Sequence, residues 1–126
     1  TKKRPLILIV EDDADSVLYF TMVLRKNYDL KAADSVNSAL KVMKKRKPDL
    51  ILLDLSLEGK KDGLDLVRLM RKTPAWESIP VIAATAHAFE RDRQNCMQAG
   101  CNEYLAKPIK MKRLIETVAS FFPPDQ

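Results

Sequence analysis

A chain of 126 residues with 46% hydrophobic and 31% charged side chains has the composition of a single globular domain. It is large enough to bury roughly 68% of the surface its unfolded form exposes, which excludes a disordered polypeptide and a fold that depends on disulfides or a structural metal. No apolar stretch approaches the roughly 18 residues of a membrane span and no signal peptide precedes the first strand, so the expectation is a cytoplasmic protein without membrane insertion. Much of the formal net charge of +5 sits in Lys2-Lys3-Arg4 and Lys44-Lys45-Arg46-Lys47. Such short runs read as a solvated tail and a helix end, and direct nucleic-acid binding is not expected.

In chain order, Leu6 to Val10 is a continuous apolar run of strand length, closed by Glu11-Asp12, and Val17, Phe20, Val23 and Leu24 then recur at helical spacing. A weaker strand follows at Leu30 to Ala33. Asp34 or Ser35 can cap the next helix, which carries Ala39, Leu40 and Met43 and ends in basic residues before Pro48. The third strand, Leu50 to Leu53, ends in Asp54, and Leu64, Leu66, Val67 and Met70 predict a helix that Pro74 ends. Trp76 reads as a loop anchor. Pro80 opens a fourth strand at Val81 to Ala84, followed by Thr85, and Met97 and its neighbours predict a helix that Gly100 can close. A weaker fifth strand at Glu103 to Leu105 leads to Lys107-Pro108, and Leu114, Ile115, Val118 and Phe121 mark the last helix. Cys96 and Cys101 have neither redox nor zinc-ligand spacing and read as small reduced residues near a helix end.

This is a βαβαβαβαβα alternation, which implies right-handed crossovers and a mainly parallel sheet with helices on both faces. The expected organisation is one domain over residues 1–126, with a structured core of about 5–122. Strands one, three and four are apolar without alternation, as strands buried on both sides are.

Ligands of open parallel sheets bind at the carboxyl ends of the strands, and four such ends carry chemistry. The first offers Glu11 and Asp12, with Asp13 adjacent; the third offers Asp54, the fourth Thr85 and the fifth Lys107. Gathered carboxylates need a cation among them, and hard oxygen donors suit Mg²⁺, or Mn²⁺ in its place. Glu11, Asp12 and Asp54 would hold the ion, with a backbone carbonyl near Ser56 completing the shell. Asp54 can attack phosphorus as a carboxylate nucleophile, while Lys107 and Thr85 would meet phosphoryl oxygens. Asp13 alone reads equally well as a helix cap.

The motifs Leu8-Ile9-Val10-Glu11-Asp12-Asp13, Leu52-Leu53-Asp54-Leu55, Asp62-Gly63, Ile82-Ala83-Ala84-Thr85-Ala86 and Tyr104-Leu105-Ala106-Lys107-Pro108 span nearly the whole chain. Together they resemble the receiver domain of two-component response regulators. The resemblance implies a flavodoxin-like (βα)5 three-layer sandwich with strand order 2-1-3-4-5. It also implies Asp54 as phospho-acceptor, and a histidine kinase or histidine phosphotransfer protein as donor. Thr85 and Tyr104 would be switch residues that remodel the helix 4, strand 5 and helix 5 face toward a downstream protein or attached domain, with homodimerisation open. It further suggests a cis Lys107-Pro108 bond, a signalling module rather than an enzyme, and His87 as a tuner of phosphate hydrolysis. Glu58 stands where the family often has Pro, and Lys60-Lys61 lengthens the loop before Asp62-Gly63. The last third looks closest to receivers of hybrid histidine kinases and phosphorelays, so a receiver excised from a longer protein is an alternative. Two rival classes are a haloacid-dehalogenase-like phosphatase, whose nucleophile usually follows the first strand, and a non-phosphorylated scaffold.

Overall fold

The computed structural model describes residues 4–55, 63–86 and 89–123. Five strands alternate with five helices: β1 (Leu6–Val10), α1 (Ala14–Leu24), β2 (Asp29–Ala33), α2 (Val36–Lys45), β3 (Leu50–Asp54), α3 (Gly63–Lys72), β4 (Val81–Thr85), α4 (Glu90–Ala99), β5 (Glu103–Ala106) and α5 (Met111–Ala119). All strand pairs are parallel, in the order β2-β1-β3-β4-β5. The parallel sheet is the one the alternation predicts, and its order is the flavodoxin-like one that the resemblance implies. Among the described residues no helix is long and apolar enough to cross a membrane.

Because successive strand residues point to opposite faces, the sheet feeds two cores. Leu8, Val10, Ile51, Leu53, Val81 and Ala83 pack with Val36, Ala39 and Met43 of α2, Leu66, Val67 and Met70 of α3, and Cys96 of α4. Ile7, Ile9, Leu50, Leu52, Ile82 and Ala84 pack with Phe20 and Leu24 of α1 and Leu114 and Val118 of α5. Each fully buried aliphatic side chain contributes about 1.5–3 kcal/mol, so Leu52→Ala, at the centre of β3, would cost about 2–5 kcal/mol. Trp76 is a half-buried anchor on the first core.

Local chemistry sets the helix ends. The Ser35 hydroxyl accepts the Ser38 N–H at 3.1 Å and is the α2 cap, while Asp34 accepts the Ser38 hydroxyl at 2.8 Å. Gly100 closes α4 at φ 118°, where a Cβ would lie 2.7 Å from Arg71 Cγ. The Arg71 guanidinium donates to the carbonyls of Gly100, Glu77 and Ile79 and to Asn102 Oδ1, tying α3 to the turns around β4 and β5.

Two details depart from the sequence reading. Helix α4 is anchored by Cys96, while Met97 is 38% exposed, because residues one apart on a helix point about 100° from each other. Strands β3 and β4 also run one residue further than their apolar runs, so Asp54 and Thr85 are themselves strand residues. Both cysteines are free and buried. The hydrogen bond between their thiols pulls Cys96 down against the opposing effect of burial, while the same bond and burial both push Cys101 up.

Candidate functional site at the carboxyl edge of the sheet

Parallel register brings the chemically active strand ends together. Val10 pairs with Leu53, and Asp54 pairs with Ala84, so Glu11 and Asp54 leave adjacent strands side by side and Thr85 stands one residue beyond. The Lys107 N–H donates to the Thr85 carbonyl at 2.8 Å, which delivers Lys107 to the same edge, and its peptide bond to Pro108 is cis. Gly63 has to be small because a Cβ there would lie 3.2 Å from the Asp54 carbonyl oxygen.

One oxygen from each of Glu11, Asp12 and Asp54 lies within 4.8 Å of the others. Glu11 and Asp54 are only 2% and 6% exposed, while Asp12 faces solvent. Lys107 Nζ sits 2.5 Å from Glu11 Oε1 and 3.7 Å from Asp54 Oδ2. A single ammonium does not neutralise the cluster. Burial first, then a hydrogen bond to and the charge of Asp54, push the Glu11 carboxyl up to about 7, against the opposing pull of Lys107. Clustered carboxylate oxygens, one of them pushed up by burial and by a neighbouring carboxylate, form a donor set suited to a hard divalent cation. The residues therefore fit such an ion.

Asp13 resolves as a cap. Its carboxylate accepts the Ser16 N–H at 3.1 Å and the Ser16 hydroxyl at 2.7 Å, and these bonds hold its carboxyl below the usual aspartate range. Helix α1 also shapes the surroundings of Lys107, which sequence reasoning missed. Lys107 Nζ donates to Ser16 Oγ at 3.4 Å and lies 6.0 Å from the centre of the Phe20 ring. The Tyr19 hydroxyl donates to the Ile109 carbonyl at 2.7 Å. These residues, with Asp15, Ala86 and Pro108, line a cavity of about 560 Å³. Asp13 and Ser16 at cap spacing were the only sequence signal for any of this.

Thr85 is buried. Tyr104 pairs with Ala83, two residues before Thr85, and is half-buried against the core on that face. Burial, and then the nearby Asp92 of α4, raise its phenol above the ordinary value. Ser56 and His87, together with the lengthened loop, lie outside the described residues.

A family model described as the response regulator receiver domain matches residues 7–119. The chain belongs to that family. The polar-differentiation response regulator DivK of Brucella ovis is 34% identical over 116 residues, covering 91% of this chain and 94% of DivK. A response regulator crystal structure from Chloroflexus aurantiacus superposes with a TM-score of 0.89 at 32% identity, covering 94% of this chain and 98% of that one. The Mn²⁺-bound form of response regulator Rcp1 gives a TM-score of 0.78 at 28% identity, covering 92% and 90%. Receiver domains are signalling modules of two-component systems, with a general phosphoryl-accepting role and an acidic pocket for Mg²⁺ or Mn²⁺.

Proposed function

We propose that the chain is one receiver unit in which Asp54 accepts a phosphoryl group from the phosphohistidine of a histidine kinase or phosphotransfer protein. The observation that carries this reading is the position of the Asp54 carboxylate. It is buried at the end of a central strand, with two further carboxylates inside 4.8 Å and an ammonium 3.7 Å away. Glu11 is as buried among the same groups, but it is already engaged by the ammonium at 2.5 Å, whereas Asp54 stands further from it.

Asp54 offers one carboxylate oxygen to phosphorus while the bond to the donor's imidazole nitrogen breaks, leaving an acyl phosphate. Phosphoryl transfer asks the protein mainly for alignment and charge neutralisation. Glu11, Asp12 and Asp54 would hold a divalent ion, Mg²⁺ or the Mn²⁺ found in Rcp1, which supplies positive charge beside the transferring oxygens; a carbonyl near Ser56 is the proposed fourth protein donor. Lys107, released from its resting contact with Glu11, pairs with a second phosphoryl oxygen, and the Thr85 hydroxyl donates to a third. Movement of Thr85 toward the phosphate frees space on the sheet face it shares with Tyr104. That biases the α4-β5-α5 surface toward its partner-binding state, a population shift powered by the new contacts. His87 is proposed to tune the rate at which water removes the phosphate.

Incubation with Mg²⁺ and acetyl phosphate tests the reading. The expected result is a mass gain of one phosphoryl group that hydroxylamine removes and that Asp54→Asn lacks. Multiple turnover on a phosphomonoester would instead support a phosphatase, and no modification by any donor would support a scaffold.

A further inference from the structure

The sheet edge opposite Asp54 carries charge of the other sign, assembled from segments far apart in sequence. Arg4 leads into β1, Arg25 and Lys26 lie between α1 and β2, and Lys44, Lys45, Arg46 and Lys47 run from the last turn of α2 toward β3. Pairing of Leu6 with Asp29 and of Ile7 with Leu50 sets these three strand starts side by side. Direct contacts close the corner. The Arg4 guanidinium donates to the carbonyls of Arg25 and Tyr28 and lies 3.7 Å from one Asp29 oxygen, and Arg46 lies 3.5 Å from the other.

All seven cations are exposed. Among the described residues two carboxylates lie with them and both are engaged, Asp29 between Arg4 and Arg46 and Asp49 with the Leu6 N–H at 2.7 Å. Seven cations against two carboxylates leave an excess equal to the formal net charge of +5 for the whole chain, so the remainder of the protein balances to zero. The α2 dipole accounts for Lys44 and Lys45. It does not account for Arg4, Arg25, Lys26 and Lys47 joining them.

The form of this charge narrows the occupant. Helices α1 and α2 end here, so their carbonyl ends face the corner and no helix amide terminus is offered to an individual phosphate. The aromatic residue of the corner, Tyr28, packs its ring 5.5 Å from that of Phe122, which removes it as a stacking platform for nucleic-acid bases. Lysine-rich cations on long stems remain, and they act at a distance on a diffuse negative plane. We propose that this corner docks reversibly on an anionic phospholipid surface, with the Asp54 edge turned away from the lipid and open to partners. Each Lys or Arg held near an anionic lipid surface adds about 1 kcal/mol of attraction.

Sedimentation of the full chain with phosphatidylcholine vesicles, with and without phosphatidylserine, tests this. Binding is expected only with phosphatidylserine, and weakens as salt rises. The variant Lys44→Gln/Lys45→Gln/Lys47→Gln should partition on the order of 100-fold less, about fivefold per cation, while remaining folded, with only the modest fall in melting temperature that loss of two α2-end cations brings. The control Arg91→Gln/Arg93→Gln/Lys112→Gln, which removes equal charge from α4 and α5, should keep binding. The proposal is overturned by equal binding to neutral vesicles, or by an equal loss in the control. It is also overturned by tighter binding to duplex DNA at the same salt, or by no binding at low salt.

Discussion

The two edges of one parallel sheet use carboxylates in opposite ways. At the edge where the strands begin, Asp29 is 47% exposed between two exposed arginines, and such pairs are worth about 0–1 kcal/mol. At the edge where they end, Asp54 and Glu11 are almost wholly buried and share one ammonium. The residue types are similar, but burial turns charge from a solvated decoration into an unmet demand for positive charge. Among the described residues the first edge has cations to spare, whereas the second offers its two buried carboxylates one ammonium, and the Glu11 carboxyl is pushed up to about 7.

The largest test of this contrast is Lys107→Ala. Loss of the only ammonium that contacts the cluster among the described residues should slow acyl-phosphate-driven phosphorylation on the order of 100-fold, the scale of removing one charge-stabilising donor from a transition state. A rate within a factor of two of the parent would break the contrast at its strongest point.

Titration of Glu11 comes next. Its carboxyl stands at about 7 in the folded chain against 4.5 as a free side chain, so the folded state binds the proton more tightly. The stability this contributes is complete below pH 4.5 and is lost as pH rises toward 7, by on the order of 1–3 kcal/mol. Ion-free protein should therefore melt at a lower temperature at neutral pH than at mildly acidic pH, and Glu11→Gln should flatten that slope. Mg²⁺ affinity should climb over the same interval as the proton leaves. An unaltered slope in Glu11→Gln would assign the effect to another group.

Smaller effects separate the two aspartates of the basic edge. Asp49→Ala removes the acceptor for the Leu6 N–H and should cost about 1 kcal/mol in urea unfolding, while Asp29→Ala should stay within about 0.5 kcal/mol. The reverse order would mean that the Arg4 and Arg46 pairs matter more than exposure allows. Smallest in its effect on rate, Tyr19→Phe deletes only the hydroxyl that holds the Ile109 carbonyl and should lower phosphorylation a few-fold. In a Lys107→Ala background the same change should do nothing more, since Tyr19 acts by positioning the segment that carries Lys107. Additive losses would show that Tyr19 works elsewhere.

Much of the fold was legible because β1, β3 and β4 are buried on both faces, so their burial is written as unbroken apolar runs. Strands β2 and β5 lie at the sheet edges with exposed positions such as Lys31 and Ala106, and their signals were correspondingly faint. Convergence of Glu11, Asp12, Asp54, Thr85 and Lys107 was legible once the topology was, since parallel strands place all their carboxyl ends on one edge. The packing around Lys107 was not. Ser16 lies 91 positions from Lys107 and Tyr19 lies 90 from Ile109, and no local pattern encodes which turn of α1 faces the last loop. Asp13, adjacent to the acidic pair and equally readable as a helix cap, proves through its bonds to Ser16 to cap α1. The basic corner was hidden for a related reason, as three short runs that are each unremarkable meet only when β1, β2 and β3 start together.

Reductive trapping addresses the central claim most directly. Borohydride converts an aspartyl phosphate to homoserine, and peptide mass spectrometry then locates it. After incubation with Mg²⁺ and acetyl phosphate, homoserine should appear at position 54 and at no other carboxylate. Trapping at Asp12 or Asp13, or no trapping while the protein gains a phosphoryl group, would contradict the role given to Asp54.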